Sequence, residues 1–248
     1  MALRLATGGR HARGGAVHRL PAAARLAGHV RPCVVLLGGS FDPVHNAHVS
    51  LGAHFAALLR ATQLRVIPVG RQWQKNSLRA TPEQRAEMAR LAFAGLAVPV
   101  LIDTREIERG ANGQPSYTID TLRQLRAELG PEASLVFVIG ADQLQRLDTW
   151  HDWRQLFDYA HVCVATRSGF ALAEAGLPAA VASEFSARLN SIEQIRNTPH
   201  GLTYLAQDFA VDISATQIRA ALQRGDKANS LIAPLVLDYI EQHNLYKS

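Results

Sequence analysis

Residues 33–60 read CVVLLGGSFDPVHNAHVSLGAHFAALLR, and the fold is decided there. Cys33 to Leu37 are a short, unbroken apolar run, which suits a strand buried on both faces. Gly38-Gly39-Ser40 break that strand, and Asp42-Pro43 stop any early helix. From Asn46 the pattern turns helical, with Val49, Ala53, Ala56, Ala57 and Leu59 free to pack back on a sheet. A strand, a glycine turn and a helix N-terminus in that order make a phosphate cradle. Backbone N–H groups point outward, no Cβ blocks the approach, and the helix dipole favours an anion. His45 and His48 sit three apart, so at a helix start they share one side, toward that anion. Taken singly, a His near a helix start is usually a cap or a surface residue; the surrounding pattern is what makes these two functional. His54 lies outside the pattern and reads as helix surface.

Working outward, the chain alternates strands with helices. Residues 64–69 (LRVIPV) read as a second strand, followed by the basic loop RQWQKNSLRA. Thr81-Pro82-Glu83-Gln84 starts a helix by three signals at once: an N-cap, a proline at the first position and a capping box. That helix runs to about residue 94, and residues 98–102 are a third strand. Residues 103–115 read as a charged loop. Ser116 can cap a helix marked by Ile119, Leu122, Leu125 and Leu129, ended by Gly130-Pro131. Residues 134–139 (SLVFVI) are a buried strand, with Gly140-Ala141-Asp142 as a loop at its end. A short helix over 150–159 and a strand over 161–165 follow. Residues 171–200 read as irregular, 203–206 and 210–213 as strand pieces, 214–222 as a helix and 234–244 as a last amphipathic helix. This alternation predicts right-handed crossovers and an α/β, Rossmann-like, doubly wound parallel sheet with a small C-terminal helical subdomain. Ligands then bind beyond the carboxyl ends of the strands. The loops at 38–45, 70–80, 103–115, 140–142 and 166–169 all fall at such ends.

At 248 residues the chain can bury one large α/β core. No apolar run approaches the ~20 residues of a membrane span. Cys33 and Cys163 each fall in a buried strand and read as reduced core thiols of a cytoplasmic protein rather than a disulfide or metal site. The formal net charge of +5 is uneven: residues 1–31 hold six Arg and no Asp, Glu or Lys, which leaves the rest at −1. The basic balance is therefore no argument for nucleic-acid binding. The leader reads as a disordered tail or start-site artefact before a domain over 32–248, with an organelle transit peptide as the alternative.

A second motif, ISATQIR, spans residues 213–219. Ser214 is a natural N-cap and Gln217 completes a capping box, so Ser214 has a structural account. Thr216 and Arg219 do not. Three apart, they share a face at a helix start, where a hydroxyl, free N–H groups and a guanidinium fork suit phosphate oxygens. The glycine turn at 38–40 is neither GxGxxG nor GxxxxGK[ST], so the dehydrogenase and P-loop readings fail at the deciding spot.

GGSFDPVHNAH resembles the G-x-F-D-x-x-H-x-G-H signature of the nucleotidyltransferase superfamily, and most closely its nicotinate (nicotinamide) mononucleotide adenylyltransferase branch. The pantetheine-phosphate branch usually has Thr where His45 stands. Ala47 occupies a position usually held by Gly, a modest change. ISATQIR is similar to the ISxTxIR motif of the same enzymes, and the likeness runs from about residue 33 to the final LDYIEQHNLY. It implies adenylyl transfer from ATP to nicotinate mononucleotide, giving deamido-NAD and pyrophosphate, with His45, His48 and Arg219 as catalytic residues. ATP would be held by Gly38, Gly39, Ser40, Phe41, Gly140, Asp142, Arg167, Ile213, Ser214 and Thr216. The mononucleotide would meet Lys75, Tyr117, Thr118, Trp150 and His151, with Trp150 stacked on the pyridine ring. Core packing is the alternative for Trp150 and Trp153, and a solvated loop lysine for Lys75. Mg²⁺ is expected on the ATP phosphates, with no carboxylate cluster dedicated to a metal. ATP and nicotinate mononucleotide are the expected partners, with no nucleic acid or membrane, and a homo-oligomer is left open. The rivals are the amide mononucleotide, another adenylyl- or cytidylyltransferase substrate, and, from a different class, a non-catalytic nucleic-acid module using the Arg-rich leader.

Overall fold

The computed structural model describes residues 31–70, 78–166, 176–207, 209, 213–226, 228 and 230–247. Residues 1–30 of the leader and residues 210–212 of the strand expected at 210–213 lie outside the described residues, as do Lys75, Trp73 and Arg167. Arg31, the last residue of the leader as read from sequence, hydrogen-bonds the carbonyl of Glu132 and pairs with its carboxylate at 3.1 Å.

Six parallel strands form one sheet: β1 (Cys33–Gly39), β2 (Gln63–Pro68), β3 (Val100–Ile102), β4 (Ser134–Gly140), β5 (His161–Ala165) and β6 (Thr203–Ala206), in the order β3-β2-β1-β4-β5-β6. The chain builds outward from β1 to β3, returns to β4 beside β1, and builds outward the other way. Strand order reverses between β1 and β4, where Val35 pairs with Val136. The crevice beyond the carboxyl ends of those two strands is the expected ligand position. Alternation along β1 sends Cys33, Val35 and Leu37 to one core and Val34 and Leu36 to the other, one core on each face.

The first core is covered by α1 (Asn46–Leu58), α2 (Pro82–Phe93), α8 (Ala215–Gln223) and α9 (Pro234–Gln242) through Phe55, Met88, Phe93, Ile218, Val236 and Ile240. The C-terminal helices thus share the core of the first strand. The second core is covered by α4 (Thr118–Leu129), a 3-10 segment at Trp153–Asp158 and α6 (Ala179–Ala187), through Ile119, Leu122, Leu125, Leu156, Phe157 and Phe185. α2 starts as expected: Thr81 Oγ1 accepts from the Gln84 N–H, the Gln84 side chain accepts from the Thr81 N–H, and Pro82 is at the first position.

Several expectations fail for identifiable reasons. Residues 103–115 contain a helix, α3 (Arg105–Ala111), whose buried face is charged rather than apolar: Glu106 and Arg109 both meet Thr121. Periodicity in hydrophobicity cannot reveal such a face. The irregular reading of 171–200 misses α6 and α7 (Ile192–Asn197), the latter capped by Ser191 accepting from Gln194. Ser116 is not the cap of α4; Tyr117 occupies that position, and the buried Ser116 hydroxyl has no partner among the described residues. Residues 141–142, expected in a loop, begin the single turn α5 (Ala141–Leu144), and the helix expected over 150–159 is a 3-10 segment over Trp153–Asp158 instead.

Candidate active site

β1 ends at Gly39 for a steric reason. A Cβ built there would lie 2.8 Å from the ring of Phe41, which turns back under the strand with a left-handed backbone, φ 49°. The bare backbone at Gly39 therefore makes room for the chain's own aromatic ring. The fully buried Phe41 meets His48 edge-on, with centroids 5.0 Å apart.

His45 is the N-cap of α1, in extended conformation. Its backbone N–H donates to His48 Nδ1 at 3.3 Å, and the two imidazoles stack with centroids 3.7 Å apart. The expected common side for the pair is thus observed. Because Nδ1 of His48 accepts, its proton sits on Nε2, which is left as an outward donor. Burial pushes His45 down to about 4; burial and then the neighbouring His45 hold His48 well below the usual imidazole range. Both rings are neutral donors at pH 7. His45 Nδ1 is buried without a partner among the described residues.

The two distant motifs meet here. Arg219 Nη1 donates to the carbonyl of Asp42 at 2.6 Å, and its Nη2 donates to Thr216 Oγ1 at 3.2 Å. Ser214 is the N-cap of α8 but makes no side-chain cap bond, so the second capping box expected with Gln217 does not form. Ile213 leads into this turn, and Thr216 is exposed on it. The opening of α1 is also tied to the C-terminal part: Asn46 N–H donates to the Leu231 carbonyl, and its side chain to that of Ser230.

Across the crevice, Gly140 ends β4, and a Cβ there would lie 2.7 Å from Asp142 Oδ1. Asp142 is exposed and accepts from Gln143. Phe137 of β4 lines the floor: it approaches Gly38 and takes Trp150 edge-on at 6.1 Å. Trp150 is half-buried, and its indole N–H has no partner among the described residues. Tyr117 stacks on His151 at 4.4 Å, beside Thr118 at the start of α4. Trp153 is a core residue, 7% exposed, with Arg154 over its ring, so core packing is its role.

Sequence reasoning missed two groups behind the cradle. Asp42, read as a helix stop, is a buried carboxylate that accepts from the N–H groups of Arg79 and Ala80 and from the Tyr246 hydroxyl. Arg85, fully buried on α2, donates to the carbonyls of Ser40 and Val69 and holds the glycine turn from below. Asp42 could have been found from its place as the D of the G-x-F-D-x-x-H signature; a single Arg on a helix carries no signal. Among the described residues no group of three or more His, Cys, Asp or Glu is placed to hold a metal ion.

A cytidylyltransferase-like family model matches residues 36–221, which makes this a nucleotidyltransferase by class. A probable nicotinate-nucleotide adenylyltransferase of Herminiimonas arsenicoxydans is 58% identical over 219 residues, 88% of this chain and 99% of that protein. Its counterpart in Laribacter hongkongensis is 43% identical, over 88% of this chain and 96% of that one. In fold, the nicotinic acid mononucleotide adenylyltransferase of Plasmodium falciparum, solved with NaAD, superposes with a TM-score of 0.65 at 19% identity, over 87% of this chain and 98% of that one. The chain belongs to the nicotinate-nucleotide adenylyltransferase family.

Proposed function

We propose that the crevice between β1 and β4 transfers AMP from ATP to nicotinate mononucleotide, releasing pyrophosphate and forming deamido-NAD. The observation that carries this is the bond from Arg219 to the Asp42 carbonyl, which joins two phosphate-binding segments 177 residues apart into one cradle. The mononucleotide's 5′-phosphate is already an anion and needs no protein nucleophile. It attacks the α-phosphate in line as pyrophosphate leaves. The protein's work is to align two repelling anions and stabilise the charge that builds on the α-phosphate and the leaving oxygens.

Each residue has a role in keeping with its geometry. His48 and His45 donate to the α/β-phosphates as neutral imidazoles, His48 through Nε2. Arg219, held by Asp42 and Thr216, faces the β/γ side together with the Thr216 hydroxyl and the N-terminus of α8. Gly38 to Phe41 shape the turn, and Asp142 at the end of β4 is available to a ribose hydroxyl. Trp150 supplies an aromatic platform worth ~1 kcal/mol beyond buried area, and Tyr117, Thr118 and His151 stand near the pyridine substituent. Lys75 and Arg167 stay in the proposal as phosphate contacts on the sequence alone. Mg²⁺ enters with ATP as part of that substrate; both oxygens of Asp42 are already engaged by hydrogen-bond donors. The two free, buried thiols fit a cytoplasmic setting.

The test is a substrate panel following pyrophosphate release from ATP with nicotinate mononucleotide, nicotinamide mononucleotide or phosphopantetheine. Highest kcat/KM with the nicotinate form supports the reading. Preference for either other acceptor replaces it with that activity, and no release with any of them ends it.

A further inference from the structure

Tyr246 has no place in the mechanism above, yet its hydroxyl reaches the centre of the first motif. The residue is 5% exposed, and its O–H donates to Asp42 Oδ1 at 2.7 Å. It stands beyond α9 on a left-handed backbone, φ 63°, with the preceding Leu245 N–H bonded to the Ile240 carbonyl. Asp42 is a junction. Its carboxylate, 1% exposed, also takes the backbone N–H groups of Arg79 and Ala80, and its carbonyl takes Arg219 Nη1. A buried carboxylate is stable only when such donors satisfy it. The same residue therefore fixes, on one side, the Arg219 guanidinium, and on the other is fixed by the phenol.

We propose that Tyr246 is a positioning residue for adenylyl transfer, acting through Asp42 to hold Arg219 in its phosphate-facing orientation. The inference rests on the function proposed above. Removing the phenolic O–H leaves Oδ1 with one donor, and the segment carrying the Asp42 carbonyl loosens. The guanidinium anchored on that carbonyl then loses its aim. Binding of two anions in line is sensitive to such slack, since a misplacement of ~1 Å can cost on the order of 100-fold. The pyridine end of the crevice, built on α4 and Trp150, shares none of these bonds and is left alone.

The experiment is a double-mutant cycle on the full chain with Tyr246→Phe, Arg219→Ala and both together. It reads kcat/KM for ATP, KM for nicotinate mononucleotide, ATP affinity by calorimetry and Tm. Tyr246→Phe is expected to lower kcat/KM for ATP about tenfold, with KM for the mononucleotide within about twofold of wild type. In the Arg219→Ala background the same change should cost less than about twofold, because its target is gone. A lowered Tm with wild-type kcat/KM per folded molecule overturns the proposal and leaves a packing role. An undiminished tenfold loss in the Arg219→Ala background overturns it as well. Should Tyr246→Phe fold poorly, Asp42→Asn tests the same junction from its other side and must show the same split between ATP and mononucleotide. If the wild type releases no pyrophosphate, the function fails first, and the ATP affinities alone still decide whether Tyr246 and Arg219 are coupled.

Discussion

At the scale of single residues, the proposed site holds neutral imidazoles rather than charged ones. His48 is locked in one tautomer by the His45 N–H, and burial keeps both rings unprotonated at pH 7. A donor with fixed direction is useful where charge develops only in the transition state. His48→Ala should therefore lower kcat by at least ~100-fold, by analogy with loss of a preorganised oxyanion donor. The same change removes a helix-cap partner, which costs about 1 kcal/mol of stability. Circular dichroism and Tm beside the rate separate the two effects. An active, well-folded variant would remove His48 from the chemistry.

At the scale of elements, the strand-turn-helix unit tolerates no side chain where β1 ends. Gly39→Ala drives a methyl to within 2.8 Å of the buried Phe41 ring, an overpacking that costs about 1–3 kcal/mol and shifts the ring under His48. Both Tm and kcat should fall, where a change at the exposed Gln217 leaves both intact. This unit was legible from the sequence because its signals agree: an apolar run, paired glycines and two histidines at helical spacing. The same holds for α2, which has three start signals. Legibility failed where the physics is non-periodic. α3 buries Glu106 and Arg109 against Thr121, and only tertiary contact makes that face an inner one. The Ala-rich α6 offers no contrast between its faces, and Arg85 announces nothing until the carbonyls it holds are seen. The residues proposed to face the nucleotide were readable as motifs; the groups that brace them were not.

At the scale of the molecule, two features set stability. Arg126 is a staple: its guanidinium donates to the carbonyls of Gly130, Pro131, Ala133, Tyr159 and Pro199, joining the end of α4 to the segments leading into β4, β5 and β6. Charged hydrogen bonds are worth about 1.5–3 kcal/mol each, so Arg126→Ala should lower unfolding free energy by ~3 kcal/mol or more in denaturant titrations. Arg126→Lys should recover little, since an ammonium cannot span the fork. His161 is one of three histidines, with His45 and His48, whose depressed pKa weakens the fold in acid. Fully buried, it donates from Nε2 to the Thr198 carbonyl and accepts from the Leu202 N–H at Nδ1, and burial pushes its pKa down to about 4. The unfolded chain takes up this proton near pH 6.5 and the folded one only near 4, so stability is full above 6.5 and falls as pH drops through that window. The loss from His161 alone is roughly 3 kcal/mol, readable as Tm against pH, and His161→Gln should make the curve shallower while the part due to His45 and His48 remains. The clasp between Asp42 and Arg219 has a last consequence, for how the enzyme is born. At ~5–20 residues per second, a ribosome makes the glycine turn roughly 10–35 s before it makes the arginine that completes the cradle. A nascent chain thus carries its signature early and stays idle until almost all of it has been synthesised.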